Sequence, residues 1–558
     1  MATHSAVIRE TPTPSPLVSA GKDVSHPAEP ANLRLDVAEI QGNILAGFSK
    51  DFQANIYLKI NDVKKFQAWL AAIAPLIATT GEVLTFNRLF KNLRTRQKRA
   101  PKIKVTWTNI AFSHQGIQKI AEHVPDLLKT DFTDEAFKQG MAARSAKLGD
   151  ETRNGKPGNV NKWKVGAPGK EPDVVLIVAS DDAADLEDEV AGLLKSLKGA
   201  KKIAQDDGAT LPAAIHLQGH EHFGFLDGVS QPGVFGHVSD DPTDVLTPRQ
   251  NPNDRGQGKP GQDLLLPGEF VFGYVQQDGK SEDLSVPGPV AQAGPAWANN
   301  GSFLVFRRLN QDVFGFHTFL KSQAKLNGFK DGDELGAHLV GRWRSGAPVL
   351  RTPHKDLIDL GRDDCANNNF EFQVSTPPIT KQVTPADCLD HKFPTSPGDK
   401  TGARCPFAGH IRKAYPRDDT SASIPQVKEP TTQTHRLLRR GIPFGKASKS
   451  TPTKPVNDGK VDRGLLFLAY QTSIVNHFEF VTENWVNDPN FKDTGSGFDP
   501  ILGQNNGDPN RKREFKVINP AGQAKNMTTT ADWVVPSGGE YFFAPSISAL
   551  NLFAGVKI

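Results

Sequence analysis

Two distant stretches of the chain share one pattern. DVKKFQAWL (62–70) and DVFGFHTFL (312–320) both read D-V-x-x-F-x-x-aromatic-L, and each follows a strand-like run, ANIYLKI (54–60) and GSFLVFRRL (301–309). In the first, Val63, Phe66 and Leu70 fall on one helical face. Further strand-then-helix pairs are KIKVTWTNIAFS with HQGIQKIAEHV, and DVVLIVAS (173–180) with DDAADLEDEVAGLLKSL, where Ser180 and Asp181 are N-cap candidates. Late in the chain, GLLFLAYQ (464–471) with SIVNHFEFVTENW (473–485) echoes the pair near residue 107. A duplication of this kind predicts an α+β protein of two halves, each an antiparallel sheet with helices on one face. Because amphipathic helices resemble one another, a chance match is the alternative. The length, 558 residues, also exceeds what one hydrophobic core organises.

Composition narrows the partners. The excess of basic over acidic residues is only 4, a weak footing for nucleic acid or a membrane surface. No run approaches the roughly 18 apolar residues of a membrane span. Cys365, Cys388 and Cys405 have no CxxC spacing, which argues against a zinc ribbon or a disulfide scaffold. Residues 1–34, rich in Pro, Ser, Thr and Ala, read as a disordered tail without the apolar core of a signal peptide. Long Gly/Pro/Asp/Asn segments at 236–262, 276–300, 350–404 and 415–434 exceed ordinary connections and flank the chemistry-bearing motifs.

Three constellations stand out. In GHEHFGFLDGVSQPG (219–233), His220 and His222, with His216 upstream, spell H-x3-H-x-H beside Glu221 and Asp227. That spacing fits no metal-ligand pattern with a mechanical rationale, so scaffold is the favoured reading over zinc or iron. Asp227 lies between Gly224 and Gly228 and after Phe225 and Leu226; it is either a turn residue or a buried acid/base. In RCPFAGHIRKAYPR (404–417), His410 sits on a small, apolar segment with Arg412, Lys413 and Arg417 downstream. That arrangement suits a haem whose iron meets the histidine and whose carboxylates meet the cations. In HRLLRRGIPFG (435–445), Arg439 and Arg440 precede a Gly-Ile-Pro turn and read either as a rigidly held arginine or as a solvated basic pair.

Together, GFLDGVSQP, CPFAGHIRK, RRGIPFG and the terminal GGEYFFAPSISAL resemble the dye-decolourising peroxidases, in particular their longer fungal-type branch. IQGNIL (40–45), GMAARSAKLGD (140–150), GSFLVFRRL and GRWRSGAP (341–348) extend the resemblance from about residue 35 to the end. It implies two ferredoxin-like halves in a dimeric α+β barrel-like arrangement, with haem b (iron protoporphyrin IX) in the C-terminal half. The halves are drawn at 35–298 and 299–558. By motif position, His410 is the proximal iron ligand, Asp227 the distal acid/base and Arg439 its charge-stabilising partner. Asp499 is the partner on the other ring nitrogen of His410, and Leu465 and Phe467 line the distal side.

The implied reaction uses hydrogen peroxide to oxidise bulky dyes, phenols and similar aromatic reductants through a ferryl haem. A carboxylate, with a reference pKa of about 3.9, stays ionised in acid where an imidazole would not, so an acidic optimum is expected. Some relatives relay electrons through a surface Tyr or Trp. Here the residue after RRGIP is Phe444, not tyrosine, which leaves Trp485 as the relay candidate. A haem-handling protein of the same fold with little turnover is the alternative. Secretion is open: many fungal relatives are secreted, yet this chain shows no signal peptide and as written reads as cytoplasmic.

Overall fold

Asp62 and Asp312, the first residues of the repeated pattern, do the same work. Each caps a helix, Val63–Ile73 and Val313–Ala324, by accepting a backbone N–H three residues on, from Lys65 and from Gly315. A cap of this type stabilises by about 1 kcal/mol. The following Phe66 and Leu70, and Phe316 and Leu320, are fully buried under their sheets. The echo is therefore structural, and it marks two copies of one unit.

The computed structural model describes residues 35–98, 103–235, 263–281, 286–364, 366–376, 390–420 and 428–556. The N-terminal tail, the segment 236–262, Cys365 and Cys388 lie outside the described residues, as do parts of the other long segments. Among the described residues Cys405 is buried and free, and no helix is long and apolar enough to cross a membrane.

Eight strands carry the architecture. In the first half they are β1 (Phe52–Ile60), β2 (Thr106–Phe112), β3 (Val174–Ser180) and β4 (Ala200–Ala209). In the second they are β5 (Ser302–Gln311), β6 (Leu438–Arg439 and Ile442–Phe444, one strand interrupted), β7 (Gly464–Gln471) and β8 (Val534–Ala544). The neighbours run β4-β1-β3-β2 and β8-β5-β7-β6, so both halves have the ferredoxin-like order fourth, first, third, second. Phe444 pairs with Gly208 and Phe543 with Phe112, and these two seams close the sheets into an antiparallel barrel. Tyr57, Ile177, Phe306, Leu466, Leu468 and Phe542 fill its interior.

The topology corrects two readings. β7 is the third strand of its half, so its counterpart is β3 and not the strand near residue 107. Central strands of a buried sheet are apolar on both faces, and periodicity alone does not tell them apart. The helix Ala183–Ser196 is capped by Asp182, whose side chain accepts from Ala184 and Asp185, rather than by Ser180 or Asp181.

Candidate active site

Alternation along β7 builds one wall of the site. Leu466 and Leu468 point into the barrel, so Leu465 and Phe467 point outward. There they line a cavity of about 340 Å³ between the second sheet and the wide helix Ile474–Val486. Leu309, Val481, Ile501 and Val534 make most of the remaining surface apolar.

His410 enters this cavity from the first position of a short helix, His410–Ala414. Its Nδ1–H donates to Asp499 Oδ2 at 2.7 Å, and the other Asp499 oxygen accepts the backbone N–H groups of Ile501 and Leu502. Asp499 is wholly buried, whereas 28 % of the His410 side chain stays accessible, on the cavity side. In the neutral imidazole the Asp499 bond puts the proton on Nδ1, and Nε2 has no hydrogen-bond partner among the described residues. Burial pulls the imidazole pKa down, but the charge and hydrogen bond of Asp499 outweigh it and the net shift is upward. Asp227 and Arg439, across the cavity, also act on this ring with opposite signs.

Asp227 and Arg439 meet on the facing side. Arg439 Nη1 donates to Asp227 Oδ1 at 3.3 Å, and that oxygen also accepts the Gly228 N–H at 2.7 Å. Oδ2 of Asp227 has no hydrogen-bond partner among the described residues. Gly224 and Gly228 both adopt positive φ, 91° and 72°, so the glycines flanking the aspartate serve the backbone turn. Arg439 is held at its other nitrogen by the Ser230 carbonyl at 2.8 Å. Gln231 grips the Arg439 main chain on both sides: its Nε2 donates to the carbonyl and its Oε1 accepts the N–H.

The break in β6 falls at Arg440, whose guanidinium turns the other way and donates to the carbonyls of Asn43, Ile44 and Leu45. This accounts for the IQGNIL motif. A side chain at Gly47, where φ is 70°, would begin 2.7 Å from that guanidinium. A second, more polar cavity of about 460 Å³, with Lys50, Gln53, Thr210 and His220 on its walls, shares Asp227, Gly228, Pro232 and Arg439 with the first.

Two histidines of the opening cluster face backbone carbonyls. His222 Nε2 donates to the Phe444 carbonyl, and burial drops its pKa to about 4. Both ring nitrogens of His220 face carbonyl oxygens, of Gln218 and Arg344, and His216 is exposed. Among the described residues no group of three His, Cys, Asp or Glu side chains is placed to hold a metal ion. Glu221 accepts from Phe223, Phe225 and Gln311, and burial raises its pKa to about 7.

The cations after His410 divide by helical face. Arg412 turns away and is paired with Asp399 and Asp419 between the rings of Phe372 and Phe407, and Lys413 donates to the carbonyls of Asp488 and Phe491. Of the three, only Arg417 lines the cavity. Its neighbour there is Arg342, from the GRWRSGAP motif, which the sequence did not single out as a cation of the site. Arg342 is buried and bonded to Gly346 O, Asn367 O and Asn368 Oδ1, with no ion pair among the described residues. Burial, and then Arg417, lower its pKa to about 9.

Trp485 is buried and does not line the cavity. It stacks on Phe491 and meets the edges of His435 and Phe480; His435 does line the cavity. Among the described residues every tryptophan and tyrosine is buried or half-buried, so an exposed relay residue is not found there.

Comparison with known proteins agrees with this geometry. Residues 39–210 match the family profile described as the DyP dimeric alpha+beta barrel domain, and residues 270–498 match that of the Dyp-type peroxidase C-terminal region. Peroxidase 2 of Mycetinis scorodonius is 33 % identical over 93 % of this chain and 88 % of its own length. A dye-decolorizing peroxidase of Mycena epipterygia is also 33 % identical, over 93 % of this chain and 87 % of its own. Among solved structures, an ancestral D-type dye decolorizing peroxidase superposes with a TM-score of 0.72 at 34 % identity, covering 93 % of this chain and 99 % of that one. A fungal DyP-type peroxidase from Auricularia auricula-judae gives 0.68 at 29 % identity, with the same coverage of both chains.

Proposed function

The chain belongs to the dye-decolourising peroxidase family and is a peroxidase, and from that premise we propose that it reduces hydrogen peroxide at a haem b held by His410, oxidising dyes and phenolic aromatics. The observation that carries this reading is the confrontation, across one apolar cavity, of an Asp499-bound imidazole with an Asp227–Arg439 pair.

The residues fit a haem. Nε2 of His410 lacks a partner on the cavity side, as an iron ligand requires. Arg342 is a buried cation without a carboxylate partner among the described residues, beside Arg417, and the carboxylates of the porphyrin would neutralise it. When bound, the haem supplies the capacity to accept electrons one at a time and pass them to peroxide.

The protein's own part is proton handling and charge placement. Asp227 Oδ2, the oxygen left open, takes a proton from one oxygen of the peroxide and delivers it to the other, which departs as water. Arg439, pinned by Ser230 and Gln231, offsets the negative charge that develops as the O–O bond breaks. We assign the polar cavity to peroxide entry, because it meets the apolar one at these two residues. We place the boundary between the halves at 298/299, just before β5. Trp485 remains our choice for carrying electrons outward, through its contacts with Phe480 and His435.

An absorption spectrum tests the reading. Haem-loaded protein should show a Soret band that shifts within the mixing time on adding peroxide, and dye oxidation should be fastest in acid. A Soret band inert to peroxide would return the haem-handling alternative.

A further inference from the structure

Tyr415 occupies a place that none of the other four tyrosines shares. It ends the short helix that begins at His410, its ring lines the cavity, and its hydroxyl donates to the carboxylate of Asp263. Tyr541 also donates to a carboxylate, Glu479, at 2.9 Å, but it does not line the cavity. Tyr274 donates to the Asn300 amide oxygen, Tyr470 accepts from Asn43, and the Tyr57 hydroxyl, buried away from the cavity, makes no close hydrogen bond among the described residues. Only Tyr415 combines the cavity with a proton acceptor.

We propose that Tyr415 is a redox-active residue of the cavity, giving one electron to the peroxide-oxidised cofactor while its phenolic proton passes to Asp263. The inference rests on the peroxidase reading and deepens it. Peroxide needs two electrons and two protons to become two waters, and Tyr415 passes on one electron at each turn; two turns, each restored by one reductant molecule that gives up one electron and releases one proton, supply both. Its O–H proton moves to Asp263, leaving a neutral phenoxyl radical beside a neutral carboxylic acid. A phenol or aryl amine in solution then returns an electron, the proton goes back to the tyrosine oxygen, and the resting pair is restored.

The surroundings make the proton transfer obligatory. The Arg436 guanidinium lies 3.6 Å from the centre of the Tyr415 ring and that of Arg417 lies 5.1 Å away. Loss of a bare electron would leave a positive ring between two cations, so the proton must leave with it. Asp263 is fixed to receive it by Arg436 Nη1 at 2.5 Å. Gln433 Nε2 donates to the tyrosine oxygen at 3.1 Å and keeps that bond when the proton has gone. At rest the proton belongs to the phenol. Burial holds the Tyr415 hydroxyl well above its ordinary range, while Arg436, against the effect of burial, keeps Asp263 below its own.

The test is electron paramagnetic resonance of the haem-loaded full chain, frozen at once after mixing with peroxide and no reductant, with the Soret band recorded on the same sample. The expected radical narrows when tyrosine is ring-deuterated, disappears in Tyr415→Phe and persists in Tyr541→Phe. Asp263→Asn, which keeps a hydrogen-bond acceptor but takes no proton, should slow its formation by about 10²-fold or more, the scale of a lost general base. A radical that survives in Tyr415→Phe, or does not narrow with deuterium, overturns the inference while a shifting Soret band leaves the peroxidase reading intact. A Soret band that ignores peroxide overturns both.

Discussion

The two halves have the same strand order and the same capped first helix, yet the outer face of one sheet is packed shut while that of the other lines the cavity that holds His410. In the first, β3 is covered completely: Leu176 and Val178 pack against Phe66, Leu70, Ile117 and Leu186, and all are essentially inaccessible. In the second, β7 stands in the same place, but its outward residues Leu465 and Phe467 remain half-buried against open space. The difference lies in what crosses the sheet. The helix after β3, Ala183–Ser196, is an ordinary amphipathic α-helix, while its counterpart is π-wound on either side of Phe480, over Ile474–Glu479 and Val481–Val486. The chain between β5 and β6 also brings His410 to the cavity instead of closing over it. One framework thus serves as a filled core in one copy and a binding chamber in the other.

The sharpest way to break this contrast is to truncate matching aromatic residues. Phe66→Ala, in the filled half, should cost about 3–5 kcal/mol of unfolding free energy and leave the Soret band in place. Phe467→Ala, beside the cavity, should cost less than half of that and displace the Soret band. Chemical unfolding with haem absorbance as a second probe separates the two. Equal losses would deny that the second sheet face is open.

Next in size is the pH response of the loop that carries Asp227, measured as unfolding free energy between pH 4 and 8. The Glu221 pKa is raised to about 7 by burial, so its stabilising contribution is complete below about 4.5 and is lost as pH rises through 7. His222, lowered to about 4, acts in the opposite sense: its contribution is present above about 6.5 and lost as pH falls through 4. Glu221→Gln removes the first term, worth at most about 3 kcal/mol over that window. The variant should gain stability at pH 8 relative to pH 4 when compared with the parent chain. A parallel shift at every pH would contradict the assignment of Glu221 as a buried, titrating scaffold group.

A smaller effect is expected at the proximal wall. Asp499→Asn leaves the shape of the site but removes the charge that raises the His410 imidazole, and such outer partners are worth about 10–100-fold in affinity or activity. Haem titration of the variant checks this, and undiminished affinity and activity together would count against the His410–Asp499 couple.

What the sequence showed depended on how local the cause was. The D-V-x-x-F pattern was legible because a cap and its helix face lie within one short segment, as Asp62 and Asp312 demonstrate. His410, Asp227, Arg439 and Asp499 were legible through the motifs of the resemblance, and the structure brings all four to one chamber or its immediate wall. The order of the late strand was misread because β3 and β7 are apolar on both faces, leaving no periodicity to align. Arg412 and Lys413 looked like cavity cations beside His410, but a five-residue helix turns them to its other face, toward Asp399, Asp419 and backbone carbonyls. Gln231 was visible in the SQP of its motif without a role, because its partner Arg439 is brought beside it only by the fold. Arg342 was hidden for the same reason, its significance being that no carboxylate pairs with it among the described residues.

The central claim is that the carboxylate of Asp227, and not the histidine cluster around it, handles the peroxide proton. Stopped-flow mixing of haem-loaded Asp227→Asn with peroxide measures it directly. The account predicts an unchanged resting Soret band and a spectral response slowed by about 10²–10⁴-fold, the cost of a missing general base. A response as fast as that of the parent chain, or a variant that no longer binds haem, would contradict it.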